Sequence, residues 1–402
     1  MGRRAAVTLD RLDLAHRRTG SVGLGGAQPA PFANAAEVVG WFGALQSQDY
    51  HPAKWAVAQR LGPNVTDADL DRAFDDGVIL RTHVLRPTWH FVAPADLRWL
   101  LELTARRVHT LNAYAYRRSE LDGPLLRRTT DLIADAVAGG NHLTRAEIAA
   151  LLARHGIIAE RFRLGYILIH AELERVICSG PLRGKQHTYA LLEERAPRAA
   201  SLEREAALAE LVRRFFTSHG PATAKDMSWW SSLTLADIAT GLSLAGDALE
   251  STDVDGVTYW SAPENAPAPA TSPSVRLLQA YDEYVVGYRQ SKHLLDLDGL
   301  ATAAPDKLAL PNGVIVVDTQ VAGRWKRTVR GEAVVLDAVL FGRSTPPKPP
   351  RCRPRPTGWA CSWAHALSSW RACCEARAGR YRTRHRLMIL RIASAVSTSR
   401  RG

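Results

Sequence analysis

Residues 142–156 read HLTRAEIAALLARHG, and residues 161–192 continue as RFRLGYILIHAELERVICSGPLRGKQHTYALL. Thr144 and Glu147 stand three apart, the spacing at which a hydroxyl and a carboxylate each satisfy the other's free backbone N–H at a helix start. Leu143 and Ile148 are placed for a hydrophobic staple, and Gly156 supplies the stop. Ile148, Leu151 and Leu152 then share one face of this helix, and after a short turn Leu164, Ile167, Leu168 and Ala171 share one face of a second. Residues 176–192 follow as two short strand-like runs about a Gly/Pro/basic tip.

Helix, turn, helix and hairpin in that order predict a winged helix, a helix-turn-helix variant with a β wing. The order recurs downstream. Residues 201–220, 222–231 and 233–246 pattern as helices, and residues 248–261 as a hairpin about Asp255-Gly256. It recurs upstream more loosely, with helices over 35–48 and 67–77 and two strands over 78–92 that bend near Arg86-Pro87. Beyond the Pro/Ala linker SAPENAPAPATSP at 261–273, residues 312–341 alternate like two or three strands. The expected fold is α+β and mainly helical. Three tandem winged-helix modules are expected over 1–95, 96–198 and 199–265, with a small C-terminal β unit over 266–341. GSVGLGG at 20–26 lacks the preceding strand and the following Gly-Lys-Ser/Thr of a phosphate loop, so it reads as a plain loop.

The chain of 402 residues is 46% apolar and 23% charged, a globular balance. No apolar run approaches the roughly 18 residues of a membrane span, and MGRRAAVTLDRL has no apolar leader core, so a cytoplasmic protein that meets no membrane is expected. The net charge of +12 invites a nucleic-acid reading, but its distribution changes that reading. Residues 342–402 hold 14 Lys and Arg against Glu375 alone, which leaves 38 basic and 39 acidic residues in the first 341. That tail is rich in Arg, Pro, Cys and Trp. It reads either as a basic arm for phosphates or as the translation of a shifted frame in GC-rich DNA. The second is favoured because no period of 2 or 3.6 is sustained. Four of the five cysteines lie there without metal-ligand spacing, so neither a zinc site nor a disulfide framework is expected.

The segment WFGALQSQDYHPAKWAVAQRL at 41–61 carries the chemistry. On a regular helix Gln46 and Gln48 would point about 200° apart. Pro52 bars the helix from continuing, so the turn around Gln48 and Asp49 is expected to unwind and let both amides face one cavity. The plainer alternative is a frayed helix end, where glutamine is common.

Four stretches then carry a resemblance: ALQSQ at 44–48, RPTWHF at 86–91, AYDEYVVGYR at 280–289 and GRWKR at 323–327. The chain resembles the AlkZ-like winged-helix DNA glycosylases, a family that also holds an AlkX (YcaQ) type. The resemblance implies three winged helices closed into a C-shaped clamp with a C-terminal β unit. It also implies excision of bulky alkylated purines, including interstrand crosslinks, from duplex DNA, with self-resistance as one role. The family's signature is glutamine, an aliphatic residue, then Gln or Asp. Gln46-Ser47-Gln48 matches the Gln/Gln form, with Ser47 departing from the aliphatic middle residue.

A purine alkylated at N7 or N3 leaves as a neutral base and needs little protonation. The task left is to hold a water against an oxocarbenium-like sugar, which oriented dipoles can do without a metal or cofactor. An amide both donates and accepts, so Gln46 and Gln48 suit that water. Asp49 can serve as a base or offset the sugar's charge, or be a plain helix-end acid.

If RPTWHF is a strand, Arg86, Thr88 and His90 share one face and Trp89 and Phe91 the other, so that Arg86 and His90 turn towards DNA or the lesion pocket, or the run is simply a wing with one polar and one core side. Arg289, Lys326 and Arg327 are candidates for phosphate contacts, as are Arg183 and Lys185 at the second wing tip, although basic hairpin tips also serve as solvated edge protection. Tyr281, Tyr284 and Tyr288, with Trp325, suit an aromatic adduct or, at their spacing, a core. The expected partner is duplex DNA carrying alkylated purines, met by a monomer. The competing function is a winged-helix regulator without catalysis, which has no need of paired glutamines. A lyase is disfavoured because no lysine stands closer to the motif than Lys54.

Overall fold

The computed structural model describes residues 9–25, 32–197, 199, 201–263, 274–303, 313–330, 333–341 and 388–394. A helix that the sequence reading did not anticipate opens it: α1 (Arg11–Ser21), started by an Asp10–Asp13 capping box. The first repeating unit follows, made of α2 (Ala35–Phe42), β1 (Leu45–Gln46), α3 (Tyr50–Ala58), α4 (Asp67–Asp75), β2 (Leu80–His83) and β3 (Trp89–Val92). The long helix α5 (Pro94–Arg118) then leads into the second unit: α6 (Gly123–Val137), β4 (His142–Thr144), α7 (Arg145–Arg154), α8 (Arg161–Leu173), β5 (Ile177–Ser179) and β6 (Thr188–Leu191). After the single turn α9 (Leu192–Arg195) comes the third: α10 (Arg204–Ser218), α11 (Ala224–Ser231), α12 (Leu235–Ala245), β7 (Glu250–Val254) and β8 (Val257–Ser261).

The three units share one connectivity. In the first two, the strand after the leading helix pairs antiparallel with the last strand, giving sheet orders β1-β3-β2 and β4-β6-β5. In the third that strand shrinks to one bridge, where Ala222 and Trp260 exchange N–H···O bonds of 3.0 and 2.8 Å. Capping decides where the second helix of the second and third units starts. Thr144 Oγ1 accepts the Glu147 N–H at 3.3 Å, and Thr223 Oγ1 accepts the Asp226 N–H at 3.1 Å.

The C-terminal unit is a five-stranded sheet of order β13-β12-β11-β10-β9, from β9 (Val275–Leu278), β10 (Gly313–Val317), β11 (Gln320–Arg330), β12 (Ala333–Leu340) and β13 (Met388–Ser394). Between β9 and β10 lies the short helix α13 (Glu283–Val286). The sheet is thus larger than the two or three strands expected. It also draws on the basic tail, because β13 pairs parallel with β12 from Val334↔Met388 to Leu340↔Ser394. Residues 342–387 and 395–402 lie outside the described residues, as does most of the Pro/Ala linker, so the shifted-frame reading is not addressed there.

Two apolar cores meet at the first unit. Leu80, Val84 and Val92 pack with α5 and the third unit, while Phe42, Val57, Phe74 and Phe91 pack with Leu278, Tyr284, Val314 and Phe341 of the β unit. A fully buried pair, Arg60 to Asp282 at 2.8 Å, locks the segment before α13 against the end of α3. Leaving either charge alone there would be costly, so the pair fixes how the β unit's first segment meets the glutamine turn. The fold is α+β. No helix among the described residues is long and apolar enough to cross a membrane.

Candidate active site

Gln46 does not lie on a helix. The helix ends at Phe42, because Gly43 takes φ +75, a left-handed backbone that a side chain would resist. Leu45 and Gln46 then turn into β1 and pair with Phe91 and His90. Pro52 likewise does not end a helix. It sits in the first turn of α3, where an N–H would have no helical partner anyway. Ser47 and Gln48 form the two-residue turn between β1 and Asp49, the residue that precedes α3 as its cap.

This turn fixes both amides. Gln46 Oε1 accepts the Gln48 N–H at 3.0 Å, and Gln48 Oε1 accepts the Trp89 N–H at 3.2 Å. Gln46 Nε2 lies 3.4 Å from Thr88 Oγ1. From behind, Arg81 donates to the Ser47 and Gln48 carbonyls at 3.0 and 3.3 Å, and its guanidinium lies 4.3 Å from the centre of the Trp89 ring. Burial draws the Arg81 guanidinium down to about 10 against the pull of Tyr189 and Glu172. Gln46 is buried and Gln48 exposed, so the pair runs from the interior to the surface. Ser47 is fully buried, and its hydroxyl finds no partner among the described residues, which is the environment an aliphatic side chain would fill. Asp49 is exposed and makes no capping bond, unlike Thr144 and Thr223 at the corresponding cap.

A buried carboxylate that the sequence reading passed over stands behind Gln46. Glu283, 1% exposed, accepts the Gln46 N–H at 2.6 Å and the Trp230 Nε1–H at 3.0 Å, and its Oε2 is 3.2 Å from His219 Nε2. Burial pushes its acidity down, but the bond with His219 and the Gln46 N–H outweigh this and hold the carboxyl below its ordinary range. Gly287 permits the arrangement, since a Cβ there would sit 2.8 Å from His219 Cδ2. Its partners come from β1, α11 and the residue after α10, so nothing local in the sequence marks it.

RPTWHF is only half a strand. Arg86 to Thr88 is a tight turn, with N–H···O bonds from Arg86 to Val84 and from Thr88 to Arg86, and β3 begins at Trp89. His90 therefore faces inward. It is fully buried, and burial together with the nearby Arg86 charge lowers it to about 3. His90 is thus placed in the interior as a neutral imidazole near Arg86, not on an exposed face. Its Nε2 has no partner among the described residues. Arg86 Nε and Nη2 lack partners among the described residues, and burial draws its guanidinium down against the pull of Glu283. Arg86 and the exposed Arg289 lie 5.6 and 5.1 Å from the same ring, Trp229, so the structure brings these two together.

The other cations stand apart. Arg183 is engaged by Glu147 Oε1 and the His142 carbonyl, both at 2.6 Å, while Lys185 is exposed at the wing tip. Lys326 and Arg327 are exposed on β11 opposite Asp337 and Leu336. Tyr284 and Tyr288 belong to the core, donating to the Thr319 and His219 carbonyls, and Trp325 packs on Trp55 at 6.3 Å.

A cleft of about 710 Å³ opens between Arg81 and Trp89 of the first unit and Arg145, Arg161, His187 and Tyr189 of the second, and neither glutamine lines it. Burial and the Arg81 charge lower His187 to about 4, so the cleft's histidine is neutral.

The family model described as DNA glycosylase AlkZ-like matches residues 39–355. An interstrand DNA cross-link repair glycosylase of Streptomyces sahachiroi is 26% identical over 315 residues, covering 74% of this chain and 84% of that protein. The solved structure of the Streptomyces sahachiroi DNA glycosylase AlkZ superposes with a TM-score of 0.70 at 21% identity, over 96% of this chain and 100% of that one, a likeness of fold. The family match spans most of the chain and contains the glutamine turn, its β3 partner and Glu283, so the chain belongs to the AlkZ-like DNA glycosylases and is an enzyme of that type.

Proposed function

We propose that the chain hydrolyses the N-glycosidic bond of bulky or cationic alkylated purines, N7 or N3 adducts, in duplex DNA, and that it unhooks interstrand crosslinks as the name of its Streptomyces sahachiroi relative describes for that protein. The observation that carries this reading is the pinning of both glutamine amides by backbone donors, Gln48 N–H to Gln46 Oε1 and Trp89 N–H to Gln48 Oε1. A carbonyl oxygen already held by one N–H keeps a second lone pair, and each amide keeps N–H donors. Together they can fix one water in place. A cationic purine departs as a neutral base, so the residues' task is to position that water at the anomeric carbon and to favour positive charge on the sugar. Asp49, uncapped and exposed, is the group that takes the water's proton. The buried negative charge of Glu283 favours the oxocarbenium from behind and holds the Gln46 backbone.

The three repeating units act as winged helices closed into a C-shaped clamp. The proposed divisions are 1–95, 96–198, 199–265 and 266–341, with residues beyond 341 as a tail from which β13 is drawn. Their shared helix–strand–helix–helix–strand–strand connectivity supports this. Arg86 and Arg289 flank Trp229 as phosphate contacts near the site, with Lys185, Lys326 and Arg327 further out and Arg183 available once it leaves Glu147. The protein works as a monomer. The test is incubation with duplexes carrying one N7-alkylguanine or an N7–N7 crosslink, scored for free base and abasic sites. Release from both supports the full reading, release from the monoadduct alone restricts it, and release from neither contradicts it.

A further inference from the structure

Two large apolar side chains stand in water at one edge of the second unit. Phe162, in the first turn of α8, is 81% exposed, and Ile158, in the turn before it, is 70% exposed. Their direction is imposed by the backbone. Arg161 takes φ +47, a left-handed conformation unusual for a side-chain-bearing residue, and Arg145 Nη2 donates to its carbonyl. Arg163 Nη1 donates to the Ile158 carbonyl at 2.8 Å. The exposed pair thus stands among three arginines, Arg145 and Arg163 tied to the Arg161 and Ile158 carbonyls and Arg161 exposed, with Glu160 as the neighbouring acid, since Glu147 is occupied by Arg183. Arg145, Arg161 and Leu164 also line the cleft whose far wall, Arg81 and Trp89, holds the Gln48 turn.

We infer that Phe162, with Ile158, is a wedge that enters the base stack of the DNA duplex beside the lesion while the surrounding arginines hold the flanking phosphates. An exposed apolar ring beside arginines matches the chemistry of a duplex, whose phosphates are anionic and whose base steps are apolar and open to an inserted side chain. A protein partner would not need three cations around so small an apolar pair. Unstacking the lesion's neighbour brings the damaged nucleotide towards the glutamine turn across the cleft. The inference rests on the proposed reading for the place of the reaction, and its readout is independent of the chemistry.

The experiment uses the full chain and a duplex with 2-aminopurine next to an N7-methylguanine whose 2′-fluoro sugar resists excision. Wild-type protein and Phe162→Trp are expected to raise the 2-aminopurine fluorescence at least twofold. Phe162→Ala and the Ile158→Ser/Phe162→Ser pair, checked for unchanged melting, are expected to abolish the rise and weaken binding at least fivefold. Gln46→Ala is expected to keep the rise. A full rise with Phe162→Ala, or none with wild-type protein, overturns the inference. So does sedimentation showing that wild-type protein self-associates through this patch and Phe162→Ala does not. If Gln46→Ala excises an ordinary N7-methylguanine at the wild-type rate while the Phe162 effect persists, the reaction's assignment falls and the wedge stands.

Discussion

At the scale of single residues, the site joins a buried and an exposed glutamine to a buried charge. Glu283 meets Gln46, Trp230 and His219 with all three partners pointed at one carboxylate. Replacing it by glutamine preserves the shape and an acceptor for the Gln46 N–H but removes the charge and sets an NH2 against donors. Glu283→Gln is therefore expected to lower the excision rate at saturating enzyme about 10- to 100-fold, the range seen when an oriented electrostatic contact is lost, with little change in DNA affinity. In a Gln46→Ala background the same change is expected to cost much less, because it acts through the held glutamine. An equal loss in both backgrounds, measured by single-turnover base release, would assign Glu283 a structural role only. Glu283 was not legible in the sequence for a physical reason: its partners lie 237, 53 and 64 residues away, so no periodicity or spacing connects them.

At the scale of elements, what the sequence showed and what it hid divide by length and by capping. The capping box at Thr144 and the 3.6 period after it specify the second unit, because a capped amphipathic helix is decided locally. The β1 strand has two residues, too few to alternate, and α3 carries a proline in its first turn, so the stretch around the glutamines looked like one interrupted helix when it is a strand, a turn and a new helix. The strand β13 was hidden in the basic tail for the opposite reason: its partner β12 is over 40 residues away, and only the register reveals the pairing. Truncation after Phe341 removes β13 and leaves the outer edge of β12 unpaired. The truncated chain is expected to retain base excision, since the glutamine turn and Glu283 precede the cut, while its thermal midpoint falls by a few degrees and its tendency to aggregate rises, as for any uncovered edge strand. An unchanged midpoint would show that the β12–β13 pairing contributes nothing to stability.

At the scale of the whole molecule, two neutral histidines, His90 buried and His187 half-buried, set how the protein responds to acid. His90 and His187 are held down at about 3 and about 4, far below the value near 6.5 that they regain on unfolding. Between those limits the unfolded chain binds more protons than the folded one, so the stability is complete above about pH 6.5 and is lost as the pH falls towards 4. Glu283 and Asp226, both held below the ordinary carboxylate range, add to the loss only at lower pH. Denaturant titrations from pH 7.5 to 4.5 are expected to show the decline starting above pH 6, and His90→Gln to flatten it; a midpoint constant down to pH 5 would contradict this. The first 341 residues are close to electrically neutral, so on the proposed reading they are expected to hold DNA by local cation groups and not by a global field. The candidate site stands or falls with the glutamines. The most direct measurement is single-turnover release of N7-alkylguanine from duplex DNA by wild-type protein, Gln46→Ala and Gln48→Ala, each at saturating concentration with its fold and DNA affinity checked. Retained binding with excision lowered at least tenfold in both variants is the predicted result, and wild-type rates in both would contradict it.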